Sequence, residues 1–305
     1  MAPWLRALAS IALLAAVLAW MSPAALRGVL IIAAPAWLLP AILIGLLQPA
    51  LSAWRWRLTA GLLGVPLPFG HALREYWLGN VLNQVLPGGV AGDITRAWRH
   101  ARGVDVARAA WHAVLIERTA GQVVLLCCAI LTLPLALSQG AHLPPTLATP
   151  SGTGVALGAL IVIVSAALLM RGARNTLGHF GRDAARALIA PRAWPLQLIA
   201  SLTLVASYLG VYVCCARALG VQTDALTLVP LVCWVLVAMA LPLSLAGWGI
   251  REGAAAGIWL LAGLPVAQGV AISLLYGVVV FACALPGAWL LLAGRGRRPD
   301  SGPAG

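Results

Sequence analysis

The sequence predicts an all-α integral membrane protein with six full transmembrane helices and two re-entrant broken-helix hairpins in an inverted repeat. The class follows from composition: 62% of the residues are hydrophobic, 9% are charged, and the mean hydropathy is +0.95. The repeat follows from a recurring motif. Residues 86–96 read LPGGVAGDITR and residues 241–251 read LPLSLAGWGIR, so that Leu, Pro, Ala, Gly and Arg recur in the same order.

The distribution of charge argues against a soluble protein and against nucleic acid as a partner. Twenty basic residues, all of them arginine, stand against eight acids, which gives a net charge of +12. Most of the arginines lie in short segments between apolar runs, as expected of cytoplasmic loops that face anionic lipid headgroups. We therefore expect a multi-pass protein of a bacterial-type inner membrane, with the N-terminus and the C-terminus both in the cytoplasm.

Six apolar runs are long enough to cross the membrane, since a helix rises about 1.5 Å per residue and the hydrocarbon core is roughly 30 Å thick. These runs are residues 5–21, 29–53, 111–137, 154–170, 195–216 and 266–293. Arg55 and Arg57 follow the second run, and we expect them on the cytoplasmic side. The basic segment 171–192 predicts a cytoplasmic interfacial helix.

The first re-entrant hairpin is predicted at residues 71–100. Its apolar part is short and already carries charged and amide side chains, which is too polar for a span that faces lipid. Helix-breaking residues then supply a structural hinge, namely Pro87, Gly88, Gly89 and Gly92. Such a turn is tolerated at membrane depth where protein or a water-filled cavity satisfies its backbone groups.

The second break lies at residues 241–251, with Pro242, Gly247 and Gly249 as its hinge. Three predicted spans separate the two hairpins, and this odd number gives the halves opposite orientations. We expect one polytopic membrane domain over 1–305, with repeats at 1–140 and 150–294 and a basic cytoplasmic tail at 295–305. The repeat also predicts a helix that starts at Val266 and places Arg96 and Arg251 at equivalent positions.

Ionisable side chains near the two breaks are the candidate site. Each costs on the order of 3 kcal/mol at membrane depth unless it has a partner or a wet cavity. One interpretation is structural, because three acids balance three arginines. The other is that guanidinium groups bind an anionic headgroup, for which the arginine fork is well suited. The residues are Asp93, Arg96, Glu117, Arg118, Arg251 and Glu252.

Asn80 and Asn83 lie one turn apart on the helix that enters the first break. They could line the same cavity as the arginines, or they could bond the free backbone groups of the turn. The histidines are scattered and the six cysteines fall within apolar runs without metal-ligand spacing. We therefore expect no metal site and no cofactor.

The motifs resemble a known family. Asn80 and Asn83 ahead of LPGGVAGDITR, ERTAG at 117–121 and GWGIREGA at 247–254 are similar to the flippase-like transmembrane domain of lysylphosphatidylglycerol synthases, which also occurs in stand-alone membrane proteins. The resemblance implies translocation of a charged or phosphorylated lipid headgroup, as on aminoacylated phosphatidylglycerol or a polyprenyl-phosphate-linked sugar. Because the sequence ends at Gly305 without an aminoacyl-transferase domain, we expect a stand-alone member without synthase activity. Ala91 and Gly92 stand where the family often has Gly-Gly.

Three classes of function are compatible with these features. The leading hypothesis is a lipid flippase that works by alternating access and whose partner is a membrane phospholipid or polyprenyl lipid. The alternative is a non-transporting scaffold that recruits a glycosyltransferase or a lipid-modifying enzyme through the basic segment 171–192. An enzyme is the weakest, because the acids near the breaks have arginine neighbours that compete with a catalytic role. The sequence gives no oligomeric state.

Overall fold

The computed structural model describes residues 34–86, 89–138, 174–191, 193–239 and 247–294. All regular structure within these ranges is α-helical. Several predictions fall outside them: the spans at 5–21 and 154–170, the hinge residues Pro87, Gly88 and Pro242, and the tail at 295–305.

The described part of the chain forms two similar series of helices with one short helix between them. The first series is α1 (Pro35–Leu62), α2 (Phe69–Val85), α3 (Ala91–Arg102) and α4 (Ala107–Ser138). The short helix is α5 (Arg174–Leu188). The second series is α6 (Trp194–Ala218), α7 (Ala225–Met239), α8 (Ile250–Leu261) and α9 (Val266–Gly294).

Four of the described helices are long and apolar enough to cross a membrane. The spans are Pro35–Leu62, Ala107–Pro134, Trp194–Ala218 and Val266–Leu290. The protein is therefore a multi-pass membrane protein of the all-α class, as its composition predicts. The number of six spans and the re-entrant course of the hairpins stay predictions.

Helix α1 runs farther than the sequence predicts. We expected the second apolar run to end before Arg55 and Arg57, but the helix continues to Leu62 and contains both arginines. Arg55 is buried whereas Arg57 is exposed. Residues two apart lie on nearly opposite sides of a helix, so one arginine can face the interior while the other faces outward.

The chain breaks between α2 and α3 at the predicted place. Gly79 and Gly92 bring the two helices into close contact: a Cβ on Gly92 would lie 2.0 Å from the carbonyl oxygen of Gly79. The free backbone N–H of Gly92 donates to Oδ1 of Asn83 at 2.7 Å. Farther along, Arg99 of α3 pairs with Glu75 of α2 at 3.2 Å. The hairpin is thus held by backbone contact at its tip and by an ion pair at its base.

The second series repeats the first in length and in packing. Helices of 28, 17, 12 and 32 residues are followed, after α5, by helices of 25, 15, 12 and 29 residues. The pairing is reciprocal, since α2 packs on α9 as α7 packs on α4, and α1 packs on α6. The last helix begins at Val266, as predicted. The opposite orientation of the two halves stays a prediction.

The helix starts shift the correspondence between the halves. Asp93 is the third residue of α3 and Glu252 is the third residue of α8, so the two acids occupy equivalent positions. Arg96 is the sixth residue of its helix, whereas Arg251 is the second. Arg96 and Arg251 are therefore one helical turn out of register, although they occupy the same position in the sequence motif. The reason is that the two helices begin at different positions of that motif.

Each series has its own apolar core. Trp56, Ala60, Ala72 and Ala97 belong to a cluster among α1 to α4. Tyr212, Leu228, Trp259, Ile272 and Tyr276 belong to a larger cluster centred on α6 to α9.

Helix α5 is joined to α4 through one buried histidine. Nδ1 of His112 lies 2.7 Å from Asp183, and its ring meets that of Phe180 edge-on with centroids 5.3 Å apart.

Candidate functional site

A cavity of about 710 Å³ lies between the two series of helices. Helices α1 to α4 contribute nearly all of its polar side chains. These are Gln48, Ser52, Arg55, Tyr76, Asn80, Asn83, Gln84, Asp93, Glu117, Arg118 and Gln122. The wall built by the first series is therefore rich in charge and in hydrogen-bonding groups.

The opposite wall is mostly apolar. Helices α6, α7 and α9 contribute three polar side chains, Ser201, Tyr208 and Tyr276, together with Leu204, Val205, Val211, Leu236, Met239, Val279, Val280, Cys283 and Ala284. The cavity thus has one polar wall and one apolar wall, and an amphiphile could contact both.

Glu117 is the centre of the polar wall and is 2% exposed. Its Oε1 accepts from the guanidinium of Arg55, which also donates to the Glu117 backbone carbonyl at 2.8 Å. Its Oε2 accepts from Tyr76 Oη at 2.7 Å and from Arg96 Nη2 at 2.7 Å. Four helices meet at this interaction, since the partners come from α1, α2 and α3 and the glutamate from α4.

Asp93 extends the network toward the cavity. Its Oδ1 accepts from Arg96 Nε at 2.9 Å, and its Oδ2 pairs with Arg118. The network as a whole therefore contains three guanidinium groups and two carboxylates. Each of the four carboxylate oxygens accepts from at least one partner.

Aromatic rings and small residues position the arginines. The guanidinium carbon of Arg96 lies 4.7 Å from the ring centroid of Trp56 and 4.3 Å from that of Tyr76, which favours the buried cation. Arg55 donates to Ser201 of α6 at 2.9 Å. Gly121 leaves room for this arginine, because a Cβ there would lie 3.2 Å from Nη2 of Arg55.

The three arginines of the network differ in exposure. The side chain of Arg96 is 1% exposed and that of Arg55 is 5% exposed, whereas that of Arg118 is 43% exposed. Arg55 and Arg96 are largely enclosed by their partners. Arg118 is the guanidinium that is open to the cavity.

Asn80 and Asn83 both line the cavity. Asn83 also accepts from the backbone of Gly92, so its carbonyl oxygen supports the turn while its amide group can still donate. For Asn83, the two functions that the sequence left open are therefore compatible with each other.

The structure separates Arg251 and Glu252 from the first network. Arg251 Nε donates to Glu252 Oε1 at 3.0 Å and to Ser273 Oγ at 3.0 Å, and its Nη2 donates to the same carboxylate oxygen at 2.6 Å. Glu252 Oε2 accepts from the backbone N–H of Gly249 at 2.7 Å. The two charges are 2% and 0% exposed.

Neither Arg251 nor Glu252 is among the described residues that line the cavity. The ring of Tyr276 lines it instead, and its centroid lies 5.5 Å from the guanidinium of Arg251. The second ion pair therefore supports a wall of the cavity from behind.

Arg55 is the member of the network that the sequence interpretation missed. The sequence predicts only that it lies on the cytoplasmic side of the membrane, because it follows an apolar run. Small polar residues at Ser52 and Thr59 share its face of α1, and both are buried. That polar stripe within an apolar helix is the signal that could have placed Arg55 in the interior.

The sequence matches the family described as "Lysylphosphatidylglycerol synthase TM region" over residues 7–287. The chain belongs to this family. Membership covers both series of helices and the cavity between them, and it connects the protein with membrane lipids. No curated protein matches the chain by sequence.

Proposed function

We propose that the protein is a lipid flippase, which moves a lipid with an anionic or phosphorylated headgroup across the membrane by alternating access. The observation that carries this proposal is the amphipathic cavity with an excess arginine on its polar wall. We propose no enzymatic activity. The candidate substrates are a membrane phospholipid and a polyprenyl-phosphate-linked lipid, and the inner membrane with cytoplasmic termini is the proposed location.

The two walls of the cavity match the two parts of a lipid. A headgroup needs hydrogen-bond donors and compensating charge, which α1 to α4 supply. An acyl or prenyl chain needs apolar contact, which α6, α7 and α9 supply. A small ion has no apolar part that could contact the apolar wall.

Arg118 is the proposed first contact for the phosphate. It is the most exposed of the three guanidinium groups, and the planar fork of arginine can bind two phosphate oxygens at once. Asp93 holds Arg118 in the absence of a headgroup, so an arriving phosphate would compete with that carboxylate.

The proposed movement is a rocking of the two series against each other around the cavity. The two broken hairpins would act as its hinges, with Pro87, Gly88, Gly89 and Gly92 in the first and Pro242, Gly247 and Gly249 in the second. Gly89, Gly247 and Gly249 have φ of 62°, 82° and 82°, a backbone region that favours glycine. The reciprocal packing of α2 on α9 and α7 on α4 supports a symmetric exchange between two states.

The test is lipid movement in proteoliposomes that contain a tail-labelled fluorescent phosphatidylglycerol, with and without a pH gradient. A membrane-impermeant reductant reports the labelled lipid in the outer leaflet over time. Arg118→Gln should slow movement at least about tenfold, as expected for loss of a charge-assisted hydrogen bond. Arg57→Gln is the matched control, because it removes an arginine from an exposed position on α1.

The scaffold alternative rests on α5, whose Arg182 and Arg186 are exposed. If wild-type protein moves no lipid in any condition, and Arg182→Gln with Arg186→Gln abolishes capture of a glycosyltransferase or a lipid-modifying enzyme, the scaffold replaces the flippase. If Arg118→Gln moves lipid as fast as the wild type does, the proposed headgroup contact is wrong.

A further inference from the structure

We infer that the cavity selects a lipid whose headgroup carries one phosphodiester charge and a neutral, hydroxyl-rich group, and that it disfavours an aminoacylated, cationic headgroup. This inference rests on the proposed function and narrows its substrate class. A phosphoglycerol lipid and a polyprenyl-phosphate sugar share the selected chemistry.

The charges of the described network do not balance. Arg55, Arg96 and Arg118 carry three positive charges, against two negative charges on Asp93 and Glu117. One positive charge therefore lacks a counterion within the network that the structure describes. Uncompensated charge is costly in a site of low dielectric constant. A phosphodiester with a single negative charge would neutralise the excess, whereas a lysyl headgroup would increase it.

Both carboxylates that line the cavity in the described ranges already have arginine partners. Asp93 and Glu117 are the only acids among the cavity-lining residues in the described ranges. Each of their four oxygens already accepts from a guanidinium group or from Tyr76. An aminoacyl ammonium would have to share these two carboxylates with three guanidinium groups, whose positive charges would repel it.

The unsatisfied polar atoms of the described cavity lining share one chemistry. Three buried polar atoms of cavity-lining residues in the described part have no hydrogen-bond partner, and all three are N–H donors: Gln48 Nε2, Arg55 Nε and Arg118 Nε. Phosphate, hydroxyl and ether oxygens accept hydrogen bonds, whereas an ammonium group only donates them. The unpaired buried groups of these residues are therefore all donors, which the oxygens of a phosphate with hydroxyl groups match and an ammonium group does not.

The polar wall is rich in carboxamide side chains. Five of them come from α1, α2 and α4, namely Gln48, Asn80, Asn83, Gln84 and Gln122. A carboxamide both donates and accepts, as a hydroxyl does, so each can bind a polyol without adding charge. Their number indicates that a neutral polar group lies beside the phosphate.

The experiment measures lipid binding to the purified full chain by native mass spectrometry, with pairs of lipids in competition. The probes are phosphatidylglycerol, lysyl-phosphatidylglycerol, phosphatidylcholine and a polyprenyl-phosphate hexose. We expect phosphatidylglycerol or the hexose lipid to bind at least about tenfold more tightly than the lysyl lipid, as one charged contact provides. Whichever of the two binds more tightly identifies glycerol or sugar as the neutral group.

A variant with one added acid tests the cause of the selectivity. Asn80→Asp places a carboxylate on the cavity wall and should shift the preference toward the lysyl lipid by about tenfold or more. Gln122→Glu makes the same change on α4 and replaces the first variant if that one does not fold. Arg57→Gln changes the net charge by the same amount at an exposed position and should leave the ratio unchanged.

The outcomes separate this inference from the function on which it rests. If the lysyl lipid binds as tightly as phosphatidylglycerol and proteoliposomes still move lipid, the selectivity is wrong and the flippase stands. Equal binding of phosphatidylcholine, or an unchanged ratio in folded Asn80→Asp and Gln122→Glu, also overturns the selectivity. If no lipid binds and none moves, both proposals fall together.

Discussion

Both series of helices place an acid at the third residue after a break, and both pair it with a buried arginine. Asp93 shares its arginine with Glu117 and holds a second arginine that is open to the cavity. Glu252 has one arginine, one serine and one backbone N–H as partners, and it is fully buried. The same pairing of an acid with an arginine is therefore part of an open, positively charged cluster in the first series and of a closed, neutral cluster in the second.

The difference begins at the second residue of each helix after the break. In α3 that residue is Gly92, whose backbone touches Gly79 of the preceding helix. In α8 it is Arg251, which donates to the adjacent Glu252 and to Ser273. A repeat can thus keep its helix lengths and its packing while the cluster of one copy opens to the cavity and that of the other stabilises its wall.

The residues Arg55, Asp93, Arg96, Glu117 and Arg118 form the open cluster. The largest expected effect comes from Glu117 at its centre. Glu117→Gln leaves Arg55 and Arg96 without their shared carboxylate in a buried site, and we expect a loss of about 3–5 kcal/mol in the free energy of unfolding. Thermal unfolding in detergent checks this. The control is Glu75→Gln, since its partner Arg99 is 38% exposed and water can solvate it. Equal stability of Glu117→Gln and the wild type would show that the network does not hold the four helices together.

The second expected effect concerns Gly92, where α2 and α3 are in close contact. In Gly92→Ala the new Cβ would lie 2.0 Å from the backbone of Gly79, so α2 and α3 must separate, at an expected cost of about 1–3 kcal/mol. Gly103→Ala at the end of α3 is the control, because its Cβ has its nearest neighbour at 3.7 Å. Loss of stability should appear in thermal unfolding, with lower lipid movement. A Gly92→Ala protein that unfolds like the Gly103→Ala protein would contradict the tight hairpin.

The sequence predicted the elements of the site better than their assembly. Helix-breaking residues and polar side chains in apolar runs are local signals, so the break between α2 and α3 could be read directly from the sequence, whereas the start at Val266 followed from the offset between the two repeats. The polar stripe that Ser52 and Thr59 form on α1 indicates an interior position for Arg55, but its partner Glu117 lies 62 residues away and no local pattern identifies it. The register between the halves was also missed, because a shared arginine in the motif does not reveal where each helix begins.

Arg251, Glu252 and Ser273 form the closed cluster. A third pair of variants tests whether this cluster takes part in lipid movement. Arg251→Met with Glu252→Gln removes both charges and keeps an acceptor for Gly249, so we expect a change in stability within about 1.5 kcal/mol and lipid movement within twofold of the wild type. The matched pair in the open cluster, Arg96→Met with Asp93→Asn, should abolish movement. Loss of movement in a stable Arg251 and Glu252 variant would return these residues to the headgroup site that the sequence predicted.

The smallest effect measures how closely the open cluster is fitted. In Gly121→Ala the Cβ would lie 3.2 Å from Nη2 of Arg55, so the guanidinium must shift by a few tenths of an ångström while Glu117 and Ser201 hold it. We expect at most about 1 kcal/mol of lost stability, with a two- to threefold decrease in lipid movement. Gly257→Ala in α8 is the control, because nothing lies within 4 Å of its Cβ and alanine favours the helix. If Gly121→Ala moves lipid at the wild-type rate, the charge of Arg55 contributes to lipid movement but its exact position does not. Lipid selectivity would then depend on the more exposed Arg118.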